Sequence, residues 1–170
     1  MFRVSIRALG LPALLLALAA CSRKAETGKL DTAVAPGEVA VAAPPGSPVV
    51  LTVAAKPGEA VYLTDAAGRA VYFIASPDGA TTVQCTGECA TTFDPVTGKA
   101  VVATGDTTVK VALIGEVARP DGTTHVTYGG KSLYYHRGDQ ASGETKGQGM
   151  KAGGGEASLV SPDGSKATRK

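Results

Sequence analysis

Thr124-His125-Val126-Thr127-Tyr128-Gly129-Gly130-Lys131-Ser132-Leu133-Tyr134-Tyr135-His136 is the stretch that decides the fold class. Two runs rich in β-branched and aromatic residues flank a pair of glycines. Such runs suit a pleated, half-buried surface. A two-residue type I′ hairpin turn needs positive φ at both central positions, and glycine adopts it without steric cost. The spacing predicts a hairpin in which Val126 faces Leu133 and His125 faces Tyr134. Outward from it, the same grammar recurs at 49–53, 60–64, 70–74, 101–104 and 108–113, with a turn at 65–68 and a last strand and turn at 159–164. Short strand-like runs separated by Gly and Asp-Gly signals predict an all-β domain. No helical periodicity follows residue 20. Residues 140–157 are glycine-rich and read as a long flexible loop.

Two segments echo each other. Gly68-Arg69-Ala70-Val71-Tyr72-Phe73, followed by Asp78, parallels Gly130-Lys131-Ser132-Leu133-Tyr134-Tyr135, followed by Asp139. Ser76-Pro77-Asp78-Gly79 returns as Ser161-Pro162-Asp163-Gly164. Internal repetition of this kind predicts a small antiparallel β domain built from two related hairpin repeats.

The amino terminus has a different character. Arg3 and Arg7 precede an apolar run from Leu9 to Ala20, which closes on Leu18-Ala19-Ala20-Cys21. This is the charged, apolar, small-residue order of a secretory signal. The run is too short to span a bilayer, which takes about 20 residues. Leu-Ala-Ala-Cys resembles the bacterial lipobox, which implies cleavage after Ala20 and lipidation of Cys21; the alternative is an ordinary signal ending by chance in cysteine. Ser22, rather than aspartate, after that cysteine implies an outer-membrane address facing the periplasm. Residues 1–20 are thus the signal and 21–48 a lipidated cysteine with a Pro/Ala-rich tether. Residues 49–165 form the domain, and 166–170 a basic tail. The tether, punctuated by Pro36, Pro44, Pro45 and Pro48 and without aromatics, cannot bury enough surface to offset its ordering entropy.

The whole chain carries 17 Lys+Arg and 15 Asp+Glu; without Arg3 and Arg7 the balance is even. A neutral mature chain has no basic stripe for nucleic acid. The expected partners are the membrane, through the anchor, and an envelope ligand or protein.

The ordered blocks of residues 60–164 are similar to bacterial lipoproteins described as a secreted repeat of unknown function, with their Tyr-x-aromatic-x-x-Asp repeat. Tyr72 to Asp78 and Tyr134 to Asp139 carry it. So do Cys85-Thr86-Gly87-Glu88-Cys89-Ala90, Phe93-Asp94-Pro95, Arg119-Pro120-Asp121-Gly122, and glycines between 143 and 149. This chain departs from the pattern in three ways. The first repeat has an extra residue before Asp78, His136 stands where the family has an aromatic, and tryptophan is absent. The resemblance implies a repeat domain in the envelope and supplies no reaction.

Few residues invite chemistry. Cys85 and Cys89 lie in a domain bound for an oxidising compartment, and Gly87 between them permits a tight turn. A structural disulfide leads, with a redox pair or a metal ligand pair as alternatives; the spacing is not Cys-x-x-Cys. His125 and His136, on one face in the predicted register, offer a two-imidazole site for copper or zinc. The alternative is a pair of solvated surface histidines. Asp78 and Asp139 read as turn residues or, alternatively, as ligand contacts. Gly129-Gly130-Lys131-Ser132 is not a phosphate loop, because the glycine required five positions earlier is His125. The sequence therefore calls for no cofactor and no catalytic set. It points to a non-enzymatic envelope lipoprotein, a binding or structural module. A periplasmic metal-handling or electron-transfer accessory is the alternative, and a hydrolase or thiol oxidoreductase stands third.

Overall fold

A computed structural model describes residues 47–55, 60–80 and 84–168. The signal, Cys21, the tether up to residue 46, and Arg169 and Lys170 lie outside the described residues. The elements run β1 (Val49–Ala55), β2 (Val61–Asp65), β3 (Tyr72–Ala75), α1 (Cys89–Thr92), β4 (Phe93–Pro95), β5 (Ala100–Val102), a 3-10 turn (Val111–Leu113), β6 (Ile114–Ala118), β7 (Thr124–Tyr128), β8 (Lys131–Ser132), β9 (Tyr134–His136), β10 (Lys151–Ala152) and β11 (Gly155–Leu159). Among the described residues, three sheets have the orders β2-β1-β5, β10-β11-β3-β9-β4 and β6-β7-β8. Among these strands the pairing is antiparallel, except β1 with β5. The fold is all-β, as the strand pattern predicts.

The two repeats are related by a local twofold that passes between Tyr72 and Tyr134, which pair with each other across β3 and β9. Each repeat opens with an antiparallel pair, β1 on β2 and β6 on β7. Each then folds back: Val71 N–H donates to Leu63 O at 3.0 Å, and Leu133 N–H to Val126 O at 3.0 Å. Each is closed by a later strand, and the closing strands are exchanged. β4, which follows the first repeat in the chain, pairs with β9 of the second; β11, which follows the second, pairs with β3 of the first. The matched bonds confirm the correspondence. Leu63 N–H donates to Val160 O as Val126 N–H does to Val96 O, both at 2.8 Å. A lone hairpin is marginal in water, so exchange gives both repeats one continuous sheet to fold against.

That sheet is buried on both faces. Side chains alternate along a strand. Val71, Phe73 and Leu133 point into a cluster with Leu51, Leu63, Val126 and Val160. Tyr72, Ile74 and Tyr134 point into a second, with Tyr62, Phe93 and the two cysteines. The unbroken apolar run Val71-Tyr72-Phe73-Ile74 has this cause.

Four expectations are corrected. Residues 108–113 are not a strand: the Asp106 carboxylate accepts from Thr108 N–H (2.7 Å) and Val109 N–H (3.3 Å), bending the chain before the 3-10 turn, and the strand is β6. The hairpin has Gly129 and Gly130 at φ 56° and 77° and keeps its register as far as Leu133. There it splits. Tyr134 leaves to pair with Tyr72 and Pro95, and His125 bridges Thr97. The glycine-rich stretch is folded into turns and the β10–β11 hairpin, and its glycines permit close packing. A Cβ at Gly155 would fall 2.3 Å from Ala75 O. Lastly, the domain runs past residue 165: Ala167 is buried and its N–H donates to Leu159 O at 2.9 Å.

Candidate functional site

At the end of β9 the chain turns sharply, with Asp139 N–H bonded to His136 O. The turn carries the Asp139 side chain under the sheet, where it is buried. Its Oδ2 accepts from Tyr72 Oη–H at 2.7 Å. Its Oδ1 accepts from Lys146 N–H at 2.8 Å and from His136 Nδ1–H at 3.3 Å. One carboxylate thus ties β3, β9 and the glycine-rich segment together. Gly147 closes over it; a Cβ there would lie 2.9 Å from His136 Cβ and 3.0 Å from Tyr72 Cζ. Phe93 packs on both rings, 6.0 Å from Tyr72 and 5.2 Å from His136 between centroids. Burial first, then the hydrogen bond to Asp139, pushes the Tyr72 phenol far above its ordinary value.

Beside this hub opens a pocket of about 370 Å³, bordered by Arg69, Asp94, Tyr135, His136, Arg137 and Gln140. Arg69 lies over the Tyr135 ring, 3.8 Å from its centroid, and its Nε donates to Asp65 Oδ2 at 2.8 Å. Asp65 also accepts from Ala67 and Arg69 N–H, so the 65–69 turn fixes the guanidinium. Arg137 donates Nη2–H and Nε–H to Asp94 Oδ1 at 2.6 and 3.1 Å. The walls are polar, and each cation has an acidic companion.

The other end of the twofold differs. Asp78, the repeat counterpart of Asp139, is exposed and serves its own turn, accepting from Ser76 Oγ–H and from Ala80 N–H. The counterpart of Tyr72 is Tyr134, and its hydroxyl accepts from Cys85 N–H at 3.2 Å. Cys85 and Cys89 are bonded, with Cα atoms 5.2 Å apart, and both are buried. A disulfide-closed turn therefore stands where the second repeat has its aspartate. Cys89 also borders a groove of about 910 Å³ beneath the β10–β11 hairpin, with Glu88, Met150 and Lys151.

The two histidines are buried rather than solvated, and the shared face expected of them rested on the His125–Tyr134 pairing that the sheet does not make. His125 Nε2–H donates to Leu133 O at 2.7 Å, and its ring meets Tyr134 edge-on at 4.9 Å. Burial lowers its basicity. His136 belongs to the Asp139 hub. Among the described residues, no three His, Cys, Asp or Glu side chains gather as metal ligands would. Sequence reasoning missed the pocket's Arg69, Arg137 and Gln140. Arg69 was visible only as part of a repeat, and Arg137 and Gln140 carry no local signal.

Neither the curated proteins nor the solved structures contain a match to this chain. Residues 115–155, which run from β6 through the Asp139 hub to the start of β11, match the family described as a secreted repeat of unknown function.

Proposed function

We propose that this chain is a lipid-anchored protein of the bacterial envelope that acts by binding, not by catalysis, through the pocket between Arg69 and Arg137. The observation that carries the reading is the make-up of this pocket: two guanidiniums, Arg69 and Arg137, border it beside Asp139, a carboxylate wholly committed to holding the fold. Asp139 accepts three hydrogen bonds, so it supports the wall of a binding site better than it serves as a base. A cavity of this size lies within the range of small-ligand sites. The secreted character of the family, the Leu18 to Cys21 box and the Cys85–Cys89 disulfide support an oxidising, extracytoplasmic setting. The anchor is Cys21, and Ser22 favours the outer membrane, with the domain in the periplasm.

Two measurements test this. The intact mass of protein extracted from cells should show a chain beginning at Cys21 and carrying acyl groups, and Cys21→Ser should remove them. A photo-crosslinking residue placed at Gln140 in living cells should capture a partner. An unacylated mature terminus refutes the anchor, and a clean absence of adducts refutes the pocket as a binding surface.

A further inference from the structure

The tetrapeptide Ser-Pro-Asp-Gly occurs twice, and both copies fold into the same turn. Gly79 N–H donates to Ser76 O at 3.1 Å, and Gly164 N–H to Ser161 O at 2.8 Å. Each aspartate accepts from the N–H two residues on, Ala80 at 3.0 Å and Ser165 at 2.9 Å. Each glycine is left-handed, with φ 78° and 83°. Their fates differ. The second copy is seated on the domain: Tyr128 Oη–H donates to Pro162 O at 2.7 Å, and Lys131 Nζ to Gly164 O at 2.9 Å. Gly164 also lies against Gly129, whose Cβ, if present, would meet its Cα at 3.6 Å. The first copy projects, with Pro77, Asp78 and Gly79 all exposed.

The seat of the second copy is a cation over an aromatic ring, Lys131 Nζ standing 5.5 Å from the Phe73 centroid. The twofold converts Lys131 into Arg69 and Phe73 into Tyr135. Arg69 over Tyr135 therefore repeats the cation and ring of that seat, with Asp65 standing where the seat has Tyr128. The 142–143 turn flanks it, through Gly143 N–H to Gly68 O, yet Arg69 still borders the open pocket. A second guanidinium, Arg137, also borders the pocket. Beyond their bonds to Asp65 and Asp94, the two guanidinium forks keep further N–H groups, which suit carbonyl and carboxylate oxygens, both of which the projecting turn displays.

Seat and turn cannot meet within one molecule. Arg69 precedes β3 and the 76–79 turn follows it, so they stand at opposite ends of one strand, on the order of 20 Å apart. Two copies meet without that obstacle. We propose that the Arg69–Arg137 pocket receives the Ser76-Pro77-Asp78-Gly79 turn of a second copy of this chain, so that copies associate head to tail. The contact is heterologous and generates a ring or an open row, rather than a closed pair. It rests on the pocket being the binding surface proposed above, and it names the partner.

The test is the full-length chain with a photo-crosslinking residue at Gln140, irradiated in cells and analysed by peptide mass spectrometry. The expected product has twice the chain's mass and joins residue 140 to the peptide containing Asp78. Asp78→Arg and Arg137→Asp each place like charges together and should cut the yield about tenfold. The two combined should restore it. Both positions are exposed, and an unchanged melting temperature verifies that each variant folds. A product joined to a different protein overturns the second copy as partner and leaves the pocket reading intact. No product at all overturns both. Full yield from either single reversal overturns the proposed contact.

Discussion

Asp139 and Asp78 occupy the same place in two copies of one repeat and do opposite work. Asp139 is buried and bonds three separate segments; Asp78 sits in solvent and bonds its own turn. The extra residue before Asp78 accounts for the difference. It carries that carboxylate past the end of the sheet, and the turn closed by Cys85 and Cys89 caps the corresponding tyrosine instead. A duplicated hairpin thus yields one end built for packing and another built for display. Sequence equivalence within a repeat did not preserve physical role.

The widest gap between the ends should appear when each aspartate is removed. Asp139→Ala leaves the Tyr72 hydroxyl and Lys146 N–H without a buried acceptor and should lower unfolding free energy by about 3 kcal/mol. Asp78→Ala should cost about 0.5 kcal/mol, as solvated positions usually do. Urea titrations of the two variants decide it, and equal losses would break the comparison.

The disulfide comes next. Cys85→Ser with Cys89→Ser should cost about 2 kcal/mol, the low end for cross-links, because the closed loop is short. The same titration checks it, and free thiols in the protein extracted from the envelope would contradict the assignment.

Glycines sharpen the contrast further. Gly147→Ala pushes a methyl into His136 and Tyr72 and should cost about 2 kcal/mol by overpacking. At Gly79, where nothing lies within 4 Å, alanine meets only its left-handed backbone cost of about 1 kcal/mol. A smaller melting-temperature loss for Gly147→Ala than for Gly79→Ala would contradict the closure of the hub by the glycine-rich segment.

The smallest effect is a pH dependence from His125. Burial lowers its folded pKa below the ordinary 6.5, so protons bind the unfolded chain more readily. Its contribution is fully present above about pH 6.5 and declines as the pH falls through that value. His125→Gln should flatten this part of the stability profile, and an unchanged slope would show that another group is responsible.

Much of the fold was legible. The glycine pair fixed the hairpin turn, and the β-branched runs located most strands. What the sequence hid was nonlocal. The exchange of β4 and β11 between repeats has no local signature, since nothing in Phe93-Asp94-Pro95 itself names its partner strand. The departure of Tyr134 from the hairpin depends on Tyr72, 62 positions away in the chain. The glycine-rich segment misled for a related reason: its glycines permit close approach to His136, Tyr72 and Ala75 as well as freedom, and composition does not separate the two uses. Among the candidate residues, the cysteine pair is bonded as expected; of the two aspartates read alike as turn residues, Asp78 bonds its own turn, whereas Asp139 is buried and bonds Tyr72, His136 and Lys146. The histidines were misread, because their shared face depended on a register that ends at Leu133.

The strand exchange joins the two repeats into one sheet, and a nuclear Overhauser experiment on the isotope-labelled protein addresses it directly. The account predicts cross-strand contacts between Ala157 and Ile74 and between Asp94 and Tyr135. Contacts of Asp94 with Phe73, and of Ser158 with Tyr135, would show each closing strand on its own repeat and would contradict it.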